Sequence, residues 1–397
     1  MPGTPQLLPL AWSLWHTLNL AKPVKGQRVP SIEVISRHVV YENPEPQLRA
    51  RHAYFPGLVS LPSGDLLAFF VLGEAMNATN ATTMVSRSSD GGQTWNFEGP
   101  LHEKLPGQEH YSDAFKPTLL DDGTLIATGY RFHRTDPDQR LANAQTDGLR
   151  DGDNLVSFSR DEGRTWTPLE VIPRSWPELI EASGPSIQLQ DGTLLVAGSL
   201  FPLWDGSHPS NNVAVLMRSA DRGKTWSDET VFFRDPKGCY TAAEPRLCEM
   251  QPGRVVCLFW TLDHASDTNL PNHITVSHDG GHSWSEAINT GIPAQAPNLT
   301  YLGGDRLLTI HCHREGETGL LVRVVDFAND RWKTIEELDI WSKAPSSKVA
   351  NYKDMAVSLK FGQASLLPVG DDEYLATHWC IEDGQGKVLT HRLRVKL

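Results

Sequence analysis

One octapeptide occurs four times in this chain and constrains its fold more than any other feature. It reads Ser88-Ser89-Asp90-Gly91-Gly92-Gln93-Thr94-Trp95 and returns as Ser159 to Trp166, Ser219 to Trp226 and Ser277 to Trp284. The shared pattern is Ser-x-Asp-x-Gly-x-Thr/Ser-Trp. Its chemistry is that of a hairpin turn: Ser and Asp cap backbone N–H groups, Gly supplies a positive φ, and the Trp ring plugs the turn from beneath. The aspartates stand 71, 60 and 58 residues apart, a period expected of an array of similar supersecondary units.

A second repeat interleaves with the first. Leu61-Pro62-Ser63-Gly64-Asp65-Leu66-Leu67 is echoed at Leu120 to Ile126, Leu189 to Leu195 and Met250 to Val256, with looser copies at Leu302 to Leu308 and Leu367 to Leu375. Each unit then reads strand, Gly turn, strand, loop, strand, octapeptide, strand. Asn329-Asp330-Arg331-Trp332 reads as an eroded octapeptide in the fifth unit, and Asp383-Gly384-Gln385-Gly386 as a plain turn in the sixth. Six such four-stranded units predict an all-β, six-bladed β-propeller. The sixth unit runs out of chain after its third strand. Ser31–Tyr41 (SIEVISRHVVY) alternates apolar and polar residues as a strand does. It is expected to pair near Thr390–Val395, closing residues 31–397 into one ring without a free edge. Residues 1–30 are expected to be a tail or covering arm.

The octapeptide resembles the Asp box of the sialidase (neuraminidase, BNR-repeat) superfamily, whose members are six-bladed propellers. The resemblance runs from about Ser31 to the end and is specific for fold; function has to be argued from the site. True sialidases of that superfamily hold the substrate carboxylate with three arginines, and use an Asp acid/base and a Tyr–Glu nucleophile pair. Where the first arginine belongs, this chain has Tyr54-Phe55-Pro56. The loop Glu74–Thr83 contains no Asp, and Trp260 stands in the second arginine's place. The third arginine has no clean counterpart near His311-Cys312-His313-Arg314, and Phe361–Ser365 contains no tyrosine. Only the family's Glu has a match, Glu244 in Ala243-Glu244-Pro245. The resemblance therefore implies a sialidase-like fold without the sialidase catalytic set.

The blade pattern puts the Gly turns and Asp boxes on one face and the long, varied loops on the other, where binding residues collect. Ten of the 15 histidines fall in or beside those loops. On this funnel the candidate catalytic residues are Glu244, His110, Asp113 and Glu74. The candidate substrate-binding residues are His52, Tyr54, Lys116, Arg131, His133, Glu181, Arg246, Trp260, His311, His313, His378 and Trp379, with Tyr111, Tyr130 and His264 nearby. Carboxylates, imidazoles, guanidinium groups and indoles together suit a sugar. Plainer roles stand beside these: interblade ion pairs for Glu181 and Arg246, packing for Trp260 and Trp379, and loop hydrogen bonds rather than a metal for His311 and His313. Three functions fit. The first is a glycoside hydrolase with paired carboxylates. The second is a uronate lyase using His110 or Tyr111 as base and Arg131 or Lys116 as neutraliser. The third is a non-catalytic sugar-binding propeller.

Composition narrows the partners. A net charge of −12 over 397 residues argues against nucleic acid or an anionic membrane surface. The five cysteines lack CxxC spacing and read as reduced core residues, so no metal or cofactor is expected. The apolar run within Gln6 to Ala21 has no preceding Lys or Arg and is broken by Pro9 and His16, a poor leader and too short for a membrane span. A soluble, intracellular protein acting on a small-molecule or oligosaccharide substrate is the expectation; oligomeric state is not legible.

Overall fold

Each octapeptide closes on itself before it touches anything else. In all four copies the Gly N–H donates to the first Ser Oγ at 2.8–2.9 Å. The Asp carboxylate takes the Thr or Ser hydroxyl at 2.5–2.7 Å. The Trp indole donates to the Gly carbonyl at 2.9–3.2 Å. These bonds hold Asp161 and Asp221 down to about 2, led by the hydroxyls of Thr165 and Thr225. The glycines sit at φ of 81–90°, as the turn requires.

These turns close the blades of a six-bladed propeller. The structure, a computed structural model, describes residues 30–347 and 358–397; the expected tail lies, Pro30 excepted, outside them. After the strand β1 (Ser31–Tyr41), blade 1 is β2 (His52–Ser60), β3 (Leu66–Gly73), β4 (Thr82–Ser88) and β5 (Asn96–Pro100). Blade 2 is β6 (Ser112–Leu119), β7 (Leu125–Phe132), β8 (Gly152–Ser159) and β9 (Glu170–Ile172). In blade 3 the inner strand is split into β10 (Ile180–Glu181) and β11 (Ile187–Gln188), followed by β12 (Leu194–Leu200), β13 (Ala214–Ser219) and β14 (Ser227–Phe233). Blade 4 is β15 (Tyr240–Gln251), β16 (Arg254–Asp263), β17 (Thr268–Ser277) and β18 (Ile288–Asn289). Blade 5 is β19 (Gln295–Gly303), β20 (Arg306–His313), β21 (Gly319–Asp326) and β22 (Lys333–Trp341). Blade 6 is β23 (Phe361–Pro368), β24 (Glu373–Glu382) and β25 (Gln385–Lys396), with β1 as its outer strand, Ser31 opposite Lys396 and Tyr41 opposite Val388.

The core lies between blades. Ile126, Val156, Leu194, Val196 and Val215 meet between blades 2 and 3, and Ile310, Val322, Phe361, Ala376 and Leu389 between blades 5 and 6. Asp-box tryptophans reach the preceding blade: Trp166 meets Phe69 edge-on at 5.6 Å, and Trp284 meets Phe232 at 5.9 Å. The eroded copy in blade 5 has become a short 3-10 turn, Ala328–Asp330, and Asp330 instead accepts Arg254 of blade 4 at 2.8 Å. All five cysteines are free thiols.

Candidate active site

The site is built by irregularities in the inner strands. Four of them carry one residue more than the strand they pair with, at Tyr54/Gly57, Ala243/Arg246, Gln295/Asn298 and Gly362/Ser365. At each bulge one non-glycine residue is left-handed: Phe55 (φ 54°), Glu244 (47°), Ala296 (42°) and Gln363 (41°). That conformation costs an L residue roughly 1–2 kcal/mol, and bulges re-aim side chains. Phe55, Glu244 and Gln363 are turned into a pocket on the loop face. Blade 3 reaches the same place differently: its inner strand breaks at Gly184-Pro185, and Glu181 ends β10 at the pocket floor.

The pocket holds about 110 Å³. Glu181, Glu244 and Gln363 form its floor, with Tyr130 and Trp260 beside them. One wall comes from residues 133–151, an excursion between β7 and β8 whose Ala142–Leu149 bridge closes a small hairpin. That hairpin is tied to blade 3, because Asn143 Nδ2 and Thr146 Oγ1 both donate to the Trp204 carbonyl at 3.0 and 2.7 Å. Leu141 and Leu149 thus join Phe132 and Phe201 as an apolar wall. Asn77, Ser112, Asp113, Asp147 and His264 complete the polar lining, and among the described residues no Lys or Arg lines the pocket.

The two glutamates are coupled. Glu181 is buried, accepts the Ser199 hydroxyl at 2.5 Å, and lies 3.5 Å from the Glu244 N–H. Burial first, and the neighbouring Glu244 charge second, push its carboxyl up to about 7. Glu244 Oε1 accepts Gln363 Nε2 at 3.1 Å, while its Oε2 is buried without a hydrogen-bond partner. Burial, reinforced by both glutamates, also raises the Tyr130 phenol, which stays neutral. Trp260 is fixed by its Nε1 bond to Asn269 Oδ1 at 2.7 Å.

Several expected site residues are elsewhere. Lys116 and Arg246 are buried below the floor, at the head of a second cavity of about 480 Å³ on the Asp-box face. Asp113 reaches the pocket, but Thr82 Oγ1 and the Thr83 N–H and hydroxyl all donate to its carboxylate at 2.7–2.9 Å, making it an interblade tie. Glu74 is exposed on the loop after β3, and His110 is half-buried in the turn before β6; neither lines the pocket. Tyr54 and Trp379 pack edge to face at 5.1 Å in the apolar core, because the bulge at Phe55 turns Tyr54 away from the axis. His52 accepts the Gly386 N–H at 3.0 Å.

Second-strand histidines serve packing. Buried His311 bonds Asn272 Oδ1 at 2.7 Å and Thr309 Oγ1 at 3.0 Å, while His313 accepts from Arg323 at 3.0 Å. His378 stacks on His391 inside blade 6. Among the described residues no group of His, Cys, Asp or Glu is placed to hold a metal. Arg131, His133 and Tyr111 form their own cluster around Asp153, with His133 Nε2 2.7 Å from its carboxylate and stacked on Tyr111 at 4.8 Å. The lyase set is thereby dispersed: Lys116 lies below the floor, Arg131 on the opposite face of β7 from Tyr130.

The residues that sequence reasoning left out include Phe55, Gln363, Ser199 and Asp147. A signal existed for the first two, since they occupy equivalent positions in their blades, but only the bulge shows that they face inward.

A family description of a BNR repeat-like domain matches residues 143–356. The chain belongs to the BNR repeat-like family. A sialidase from Bacteroides fragilis (strain YCH46) is 24% identical over 250 residues, covering 58% of this chain and 42% of that protein. The chain spans about two-fifths of the length of the curated relatives it matches. Among solved structures, a protein of unknown function from Dyadobacter fermentans DSM 18053 superposes with a TM-score of 0.71 at 18% identity, covering 92% of this chain and 99% of that one. The α-L-arabinanase of Penicillium chrysogenum, complexed with arabinobiose, gives 0.61 at 15% identity, covering 91% and 98%. These likenesses establish a sialidase-like propeller whose neighbours include glycoside hydrolases.

Proposed function

We propose that this chain is a glycoside hydrolase that releases a neutral sugar, with Glu181 as general acid and Glu244 as the carboxylate facing the anomeric carbon. The observation that carries this is the floor pair: one buried carboxyl raised to about 7 beside a second whose Oε2 is free. Two carboxylates in different environments are what glycoside hydrolysis needs. Glu181 gives its proton to the glycosidic oxygen, the C–O bond breaks, and the bonding pair leaves with the departing alcohol. Glu244 Oε2 stabilises the positive charge that develops on the sugar. Water then adds at the anomeric carbon and its proton returns to Glu181. Trp260 and Tyr130 flank the ring.

Charge supports a neutral substrate. Asp113, Asp147, Glu181 and Glu244 line the pocket and among the described residues no Lys or Arg does; burial keeps His264 below its ordinary range and so neutral. A sialic acid or uronate carboxylate would meet only like charge. The test is a panel of nitrophenyl glycosides of neutral sugars, arabinofuranoside included, with a sialoside as comparator. Turnover is expected on a neutral glycoside, falling about a hundred- to ten-thousand-fold in Glu181→Gln and in Glu244→Gln. Efficient release from the sialoside, abolished by Glu244→Gln, would overturn the reading.

A further inference from the structure

We propose that Lys116 and Gln363 form a positioning relay that decides which oxygen of Glu244 is presented to the substrate. The inference rests on the glycosidase reading of Glu244 but concerns two residues that reading does not use. Lys116 Nζ, below the floor on β6, donates to the carbonyls of Phe55 and Pro56 in the blade 1 bulge and to Gln363 Oε1 at 3.1 Å. Burial pushes the Lys116 ammonium well below its ordinary range, but with two of its hydrogens taken by the Phe55 and Pro56 carbonyls the third is directed at the Gln363 amide, whose facing atom is the oxygen. Gln363 Nε2 therefore faces away from Lys116, and it donates to Glu244 Oε1 at 3.1 Å. With Oε1 engaged, Oε2 is the buried oxygen without a partner.

The relay crosses the propeller axis and joins blades 1, 2, 6 and 4. Glu244 and Gln363 each stand at a left-handed bulge, so the two side chains meet because two strained turns converge. Folding alone does not call for such a lysine: exchanging a buried charge for an apolar residue of similar volume is often neutral or stabilising. Its use lies in the orientation it imposes. Without it the Gln363 amide is free to turn its oxygen toward Glu244, lone pair against carboxylate.

The charged and titratable groups around Glu244 are Glu181 on β10, Lys116 on β6, Tyr130 on β7, Arg246 on its own strand and Cys312 on β20. The test uses Lys116→Met, Gln363→Met and the double variant, each in full-length protein carrying Glu181→Gln so that Glu244 titrates without its coupled partner. The Glu244 carboxyl carbon is followed by NMR across pH. Each single variant should move its titration to higher pH by about one unit or more, the worth of a hydrogen bond to a charged group. The double variant should move it no further than the larger single. With Glu181 intact, kcat should fall about ten- to a hundredfold with KM near wild type, and the acid limb of kcat/KM should shift upward. An unmoved Glu244 titration in both singles, or single effects that add, overturns the relay. If the titration moves as described while Glu244→Gln hydrolyses like wild type, the relay stands and the glycosidase reading falls.

Discussion

Replacing Glu181 by Gln should stabilise this protein in alkali and leave it unchanged in acid. The Glu181 carboxyl is raised from 4.5 to about 7, chiefly by burial. In the folded state the proton is therefore held across a window where the unfolded chain has already released it. For a group raised in this way, the contribution to stability is fully present below pH 4.5 and is lost as pH rises through 7. Each tenfold in the ionisation constant is worth 1.36 kcal/mol, so the whole window amounts to about 3 kcal/mol. Gln cannot ionise, keeps an acceptor for the Ser199 hydroxyl, and escapes the loss. Unfolding entropy of about 2.1 cal/mol/K per residue gives about 0.8 kcal/mol/K for a chain of this length, so the variant should melt about 4 °C higher at pH 9. Differential scanning calorimetry of both proteins from pH 4.5 to 9 reads this directly. Melting curves separated by the same interval at every pH would show instead that Glu181 titrates alike in folded and unfolded chains, and that its carboxyl is not raised by burial.

Trp379→Ala should cost about 3–5 kcal/mol of stability by opening a cavity among core rings while KM stays at wild type, whereas Trp260→Ala should raise KM for the glycoside; thermal melts and steady-state kinetics on the two variants separate core from site, and a KM change in Trp379→Ala would count against the assignment. A chain beginning at Glu42 lacks β1 and leaves β25 as an open edge, a template for intermolecular pairing; it should sediment as aggregate, and a monomer with native melting behaviour would contradict the closure.

The octapeptides were legible because their bonds are local. Ser, Asp, Gly, Thr and Trp satisfy one another within eight residues, so the turn is complete whatever surrounds it, and its recurrence gives the blade count. Glu244 was legible by position, through its neighbours Ala243 and Pro245 and the resemblance they support. Which side chains face the axis could not be counted out. Alternation along a strand holds only until a bulge inserts one residue, and bulges fall in the inner strands of blades 1, 4, 5 and 6. That single step sends Tyr54 into the core beside Trp379 and turns Phe55 into the pocket. The same step aims Gln363 at Glu244. His311, His378 and Trp379 failed as site residues for a related reason: unlike Tyr130 and Trp260, which reach the pocket from the second strands of blades 2 and 4, they are buried by neighbours from distant parts of the chain. Six blades and their closing turns were readable from the chain alone, since those depend on contacts a few residues long. That Glu181 and Glu244 share one floor emerged only from the folded molecule, because it depends on two backbone irregularities 63 residues apart meeting across the propeller axis.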